Sequence, residues 1–195
     1  LEHHSVAIEQ GKIVALLPRQ ACEQAYTATQ SVERPTGVLM PGLVNAHTHA
    51  SMTLLRGYAD DLPLMQWLSE YIWPAEAKWA DEAFVELGAE LAMLEMIRGG
   101  TTCFNDMYYF PDAVARVAER SGMRASVGMI VIDFPTVWAQ NADEYLDKGM
   151  AVHDHFRHHS RIHTSFAPHA PYTVSDAPLE RIRMFADELD VQIHM

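Results

Sequence analysis

Residues 39–49 read LMPGLVNAHTH. An apolar run (Val38, Leu39, Met40) breaks at Pro41-Gly42, resumes at Leu43-Val44 and ends in His47-Thr48-His49. Alternation along a strand sends residues i and i+2 to the same side. His47 and His49 therefore project together from the end of a strand whose apolar start is expected to be buried. At the usual rise the two imidazoles stand about 6–7 Å apart along the strand, a separation that one divalent metal can bridge. Taken alone, H-x-H also suits two polar residues at a strand end, so the surrounding chain has to decide.

Working outward, residues 5–17 alternate as a hairpin around a turn at Gly11-Lys12, and a further short strand is expected near Tyr26–Thr29. Beyond His49 the period becomes helical. Leu62, Met65, Leu68 and Ile72 share one face, and Asp81–Ile97 places Phe84, Leu87, Leu91, Leu94 and Ile97 on one face. Asp81 is a suitable N-cap, and Gly99-Gly100 ends the helix. A strand follows at Thr101–Asn105 and a helix at Pro111–Ser121. Arg124–Ile132 is a nearly continuous apolar strand, the pattern of a strand covered on both faces. The remaining elements are a helix at Ala142–His158, a strand at Ile162–Ala167, a helix at Asp176–Leu189 and a strand at Val191–His194. Strands alternating with helices predict a parallel sheet, either closed as a TIM-like barrel or doubly wound. No strand leads into G-x-G-x-x-G or G-x-x-x-x-G-K-[ST], which leaves dinucleotide and P-loop readings without support.

The composition restricts the function classes. With 195 residues, 49% hydrophobic and 21% charged, the chain can bury a sizeable core. A net charge of −12 disfavours nucleic acid or an anionic membrane as a partner, since both need basic surface. Two cysteines, Cys22 and Cys103, form no framework and read as plain thiols of a reducing compartment. No apolar run approaches the ~20 residues of a membrane span. A cytoplasmic enzyme acting on a small molecule is the expectation, with homo-oligomerisation left open. The chain opens at Leu1 and stops at Met195 inside a strand-like run, so both ends are expected to continue.

Polar residues gather where strands end, the place from which barrel enzymes work. Beyond His47 and His49 these are Asn105-Asp106, His169 in APHAPYTVSD (Ala167–Asp176), and His194. Pro168 and Pro171 rigidify the backbone about His169. His194 alone would also suit a histidine hydrogen-bonded to backbone within a strand. Glu76 follows a Trp73-Pro74 break that is expected to turn it out of its helix, with Trp67 nearby as an apolar wall. His153, His155, His158 and His159 read as a solvated helix face, not a metal site.

PGLVNAHTH resembles the first barrel strand of the amidohydrolase superfamily. Asp60-Asp61-Leu62-Pro63-Leu64, Trp67 and Trp73-Pro74-Ala75-Glu76 resemble its methylthioadenosine/S-adenosylhomocysteine deaminase branch, to which the triazine hydrolases are related. The resemblance implies a (β/α)8 TIM-like barrel of the metal-dependent hydrolase type, about five of whose eight strands are present. Residues 1–38 would belong to a small β-sandwich and 39–195 to the first half of the barrel. It implies one Zn²⁺, or another divalent transition metal, on His47, His49 and His194. Ile162–Ala167 contains no lysine to bridge a second metal. Substrate contacts would come from Glu76, His169 and Trp67, and the proton-transferring Glu and Asp would lie beyond Met195. The implied reaction is hydrolytic deamination of an adenosine-type nucleoside, with ammonia released. An s-triazine, guanine or cytosine amidohydrolase and a catalytically incompetent barrel fragment stay open as alternatives.

Overall fold

In the hairpin that opens the chain, Gln10 and Gly11 both take positive φ, 49° and 75°. That is the two-residue turn whose twist matches its flanking strands, so the turn lies one residue earlier than the sequence suggested. It joins β1, His4–Glu9, to the antiparallel β2, Lys12–Pro18. A short helix follows, α1, Arg19–Ala25. The strand expected near Tyr26–Thr29 is absent, because the chain forms no ladder there. The computed structural model describes residues 2–195, and these divide into one unit ending at Met40 and a second, Pro41–Met195.

The second unit is built on β3 (Leu43–Thr48), β4 (Thr101–Met107), β5 (Arg124–Val131) and β6 (Ile162–Pro168). All pairings are parallel, and the order β3-β4-β5-β6 follows the chain. A doubly wound sheet would reverse its order at a switch point, whereas a barrel adds each strand beside the last. This is therefore part of an α/β barrel. The fifth strand expected at Val191–His194 is reduced to one parallel bridge, Phe166 to Ile193, held by two backbone hydrogen bonds of 2.8 and 2.9 Å. Four strands are formed, not five.

β3 pairs on one side only, with β4, so Leu43 and Val44 are exposed. The expectation that its apolar start is buried fails for that reason. After it come a 3₁₀ segment, Ala50–Leu55, and one continuous helical stretch: α2 (Leu64–Trp67), a π segment (Leu68–Ile72) and α3 (Trp73–Trp79). Pro74 causes no break. Proline lacks an N–H and crowds the carbonyl four residues back. The wider π turn immediately before it accommodates both defects and lets the helix run on.

α4 spans Glu82–Gly99, with Asp81 accepting from the Phe84 N–H at 2.8 Å and Gly100 closing it in the left-handed region. Its buried row is Val85, Gly88, Ala89, Ala92 and Met93, while Leu87, Leu91, Leu94 and Ile97 stand exposed. The expected face is thus the wrong one. The small residues admit close backbone approach: a Cβ on Gly88 would lie 2.3 Å from the Ser51 carbonyl oxygen. Helices α5 (Pro111–Ser121), α6 (Ala142–Phe156) and α7 (Asp176–Leu189) complete the unit. α4 packs on α5, and α5 on α6, along one side of the sheet. Arg116 and Arg120 reach Glu82, Glu86 and Glu90 across the α4–α5 seam. Among the described residues no helix is long and apolar enough to cross a membrane.

Candidate active site

Three imidazoles meet where β3 ends and the fifth strand would begin. The rings of His47 and His49 are 5.2 Å apart, and those of His47 and His194 are 4.8 Å apart. His194 is carried there by the hydrogen bonds that tie its backbone N–H to Phe166 and the Gln192 carbonyl to the Phe166 N–H. His49 Nδ1 lies 2.5 Å from the Met107 carbonyl oxygen at the end of β4. A carbonyl only accepts, so Nδ1 carries the proton and Nε2 keeps its lone pair. That is how a protein orients a metal-binding histidine, with the far nitrogen anchored to a carbonyl. Burial, more than the neighbouring His47, lowers the His49 pKa, although the Met107 carbonyl opposes the shift. Burial also lowers that of His194, with His47 and His49 contributing. Neutral rings are what a metal requires.

Donor type and number therefore suit a zinc-like ion: three imidazoles, one of which, His194, has a buried Nδ1 without a hydrogen-bond partner. The side chains do not stand as a finished cage. His47 Nδ1 and His194 Nε2 face each other across 2.8 Å, and among the described residues no group of three His, Cys, Asp or Glu is arranged to hold a metal.

Beside His49 opens a cavity of about 180 Å³. Its polar lining is His49, Glu76, Tyr108, Tyr109 and His169, and its apolar walls include Trp67, Trp73, Ile130, Phe134 and Tyr172. The three substrate-contact candidates, Trp67, Glu76 and His169, thus share one cavity with His49. Trp67 Nε1 donates to the Tyr58 carbonyl at 3.3 Å, which leaves its ring to line the wall.

His169 takes its place because its backbone N–H donates to the Val131 carbonyl across the β5–β6 ends. The Thr173 hydroxyl donates to the Ala170 carbonyl, so it accepts from His169 Nδ1 at 2.9 Å. Nε2 is left as an acceptor toward the cavity. Burial, then His49 and His47, lowers the pKa of this ring as well.

Glu76 corrects the sequence reading most sharply. It is not turned out of its helix but stays within α3, 7% exposed. Tyr108 Oη donates to its Oε1 at 2.8 Å and Tyr109 Oη to its Oε2 at 3.5 Å. Burial raises its pKa, and the two phenols pull it back down. Tyr108 and Tyr109 were not among the sequence candidates. The signal available was their position directly after Met107, one residue beyond the strand-end pair Asn105-Asp106.

Asp106 sits behind the site, fully buried, and accepts the Ala50 N–H at 2.7 Å on Oδ1. It and Met107 together hold the backbone and the ring at His49–Ala50. The His153–His159 tract binds its own sheet instead. His153 Nδ1 contacts Thr164 Oγ1 at 2.7 Å, and His159 Nδ1 accepts from the backbone N–H groups of Arg161 and Ile162. His155 and His158 are exposed, so only part of that tract is a solvated face.

The profile of the Amidohydrolase family matches residues 38–195. A 5-methylthioadenosine/S-adenosylhomocysteine deaminase of Teredinibacter turnerae is 51% identical over 98% of this chain and 43% of its own length. The protein of that name from Saccharophagus degradans is 48% identical over 100% of this chain and 44% of its own. The crystal structure of an adenosine deaminase from Xanthomonas campestris with bound zinc superposes with a TM-score of 0.98 at 54% identity, over all of this chain and 44% of that one. An atrazine chlorohydrolase from Arthrobacter aurescens complexed with zinc shares the fold, with a TM-score of 0.85 at 19% identity. The chain spans less than half the length of these relatives.

Proposed function

The chain belongs to the amidohydrolase family, and from that premise we propose that the full-length protein is a mononuclear zinc-dependent deaminase of adenosine-type thioether nucleosides. One observation carries the reading. A buried carboxylate, an aromatic wall and a histidine acceptor line the same cavity as His49. The likeness to named methylthioadenosine/S-adenosylhomocysteine deaminases supports the substrate class.

His47, His49 and His194 would hold the metal. When bound, the metal supplies a water whose pKa is lowered to about 7, and so a hydroxide at neutral pH. Each protein group has a separable task. His169 Nε2, an acceptor, takes a hydrogen bond from the amino group that leaves C6 of the purine as ammonia. Trp67 presents a flat apolar face to the ring or the thioether. Glu76 reads the ribose: a carboxylate has about four acceptor sites, the two phenols fill two, and the remaining two match a vicinal diol. The family resemblance puts the proton-transferring Glu and Asp after Met195. Turnover is accordingly proposed for the full-length protein, and the 195 residues alone are proposed to be inactive. The first unit, with its single hairpin, is proposed to be part of a small β-sandwich.

The test is Glu76→Gln in the full-length enzyme. Losing a charge-assisted hydrogen bond should reduce kcat/KM for methylthioadenosine by roughly ten- to a hundredfold. The slow rate on the 2′,3′-dideoxy analogue should stay within twofold of wild type. Equal losses on both substrates would remove the nucleoside assignment.

A further inference from the structure

Glu76 is held in an unusual way for a buried carboxylate. Its carboxyl oxygens have two polar partners among the described residues, the neutral phenols of Tyr108 and Tyr109, one on each oxygen. A carboxylate kept inside a protein for structural reasons is ordinarily completed by a cation or by enough donors to fill its lone pairs. Here one acceptor site on each oxygen is left over, and the group lines a cavity.

The chain also goes to some length to bring the two phenols together. Tyr108 and Tyr109 are consecutive, and consecutive side chains on an extended strand point to opposite faces. They converge because the strand has ended at Met107 and the chain bends, with Phe110 in the left-handed region at φ 51°. That conformation is costly for a residue with a Cβ. The two rings then lie 4.9 Å apart at 37°, both almost fully buried, with their hydroxyls on the same carboxylate. On the other side, Glu76 is carried on α3, the helix that continues through the π segment, so its backbone is as fixed as theirs.

We propose that Tyr108 and Tyr109 are positioning residues that fix the Glu76 carboxylate with one open acceptor site per oxygen toward the cavity, making them determinants of selectivity for a substrate bearing a vicinal diol. This rests on the nucleoside reading above and adds to it the groups that make Glu76 selective. Tyr108, with the 2.8 Å bond, carries the larger share; Tyr109, at 3.5 Å, limits rotation of the second oxygen. Both hydroxyls bond to Glu76, the group assigned to the ribose, so their effect falls on substrate binding and not on the chemical step.

The experiment uses the full-length zinc-loaded enzyme and four variants: Tyr108→Phe, Tyr109→Phe, Glu76→Gln and the double variant Tyr108→Phe/Glu76→Gln. Steady-state kcat and KM are measured with methylthioadenosine and its 2′,3′-dideoxy analogue. Removing the Tyr108 hydroxyl should raise KM for methylthioadenosine about tenfold, the effect of one hydrogen bond to a charged group. Its kcat should stay within twofold, and both constants for the dideoxy analogue should be unchanged. Tyr109→Phe should shift the same KM two- to threefold by the same reasoning. In the double variant the Tyr108 effect should fall to twofold or less, because glutamine lacks the charge that strengthens the bonds to the phenol and to the diol alike. If Glu76→Gln discriminates the two substrates but Tyr108→Phe changes both equally, or neither, the tyrosines are structural and the proposal is overturned while the nucleoside reading stands. If Glu76→Gln itself fails to discriminate, both fall.

Discussion

Asp106 should make the stability of this protein fall as pH rises toward neutrality, and Asp106→Asn should remove that dependence. The carboxyl is fully buried; burial pushes its pKa from 3.8 up to about 7, opposed by the Ala50 N–H on Oδ1. Its Oδ2 is buried with no hydrogen-bond partner. Below pH 3.8 the group is neutral in both folded and unfolded chains and contributes no penalty. Between 3.8 and about 7 the unfolded chain has released the proton and the folded one keeps it, so stability drops as pH rises. At about 1.36 kcal/mol per pH unit, the shift from 3.8 to about 7 amounts to roughly 4 kcal/mol, and about 3 of that falls between pH 5 and 8. Asparagine keeps an acceptor for the Ala50 N–H and never ionises. Its cost is a buried amide N–H₂ without a partner, about 1–3 kcal/mol at every pH. The difference in unfolding free energy between Asp106→Asn and wild type should therefore move by about 3 kcal/mol in favour of asparagine from pH 5 to pH 8. Urea unfolding of the full-length protein in chelator, which keeps the pH dependence of metal binding out of the comparison, measures it. Parallel pH curves for the two proteins would refute the reasoning.

Three further outcomes follow from particular contacts. Gly88→Ala should lower stability by about 1–3 kcal/mol, since its Cβ would press on the Ser51 backbone at 2.3 Å; an unchanged Tm would show that α4 does not approach so closely. His47→Ala and His49→Ala should each reduce zinc per chain in the full-length protein by elemental analysis, whereas His155→Ala and His159→Ala should not; the reverse pattern would mean that the metal sits on the helical tract. The 195 residues alone should release no ammonia from methylthioadenosine above a zinc-only control, and turnover by them would contradict the placement of the proton-transfer groups after Met195.

Much of the fold was legible because its signals are local. Asp81 caps α4, Gly100 and Gly122 end α4 and α5 in the left-handed region, and Pro111 opens α5. Each of these depends on residues within about four positions of one another. The spacing of His47 and His49 is likewise local, with His47 in β3 and His49 one residue past its end, and survives into the structure as two rings 5.2 Å apart. Long-range matters were not legible. Periodicity showed that α4 has an apolar face, yet two apolar rows run along it. The 3₁₀ segment Ala50–Leu55 selected the row of small residues, because only those let the backbones meet at Gly88. Pro74 read as a break because proline's local cost is visible in sequence, while its remedy, a π turn, is visible only in the hydrogen bonds. Glu76 read as turned out of its helix for the same reason. Its burial depends on Tyr108 and Tyr109, 32 and 33 residues later, which the end of β4 brings against α3. Sequence alone determined the elements from α4 to α7, the caps of α4 and α5 and the spacing of the histidine pair; tertiary structure decided which faces touch, whether the last strand pairs and which charges are buried, because desolvation is set by neighbours far away along the chain.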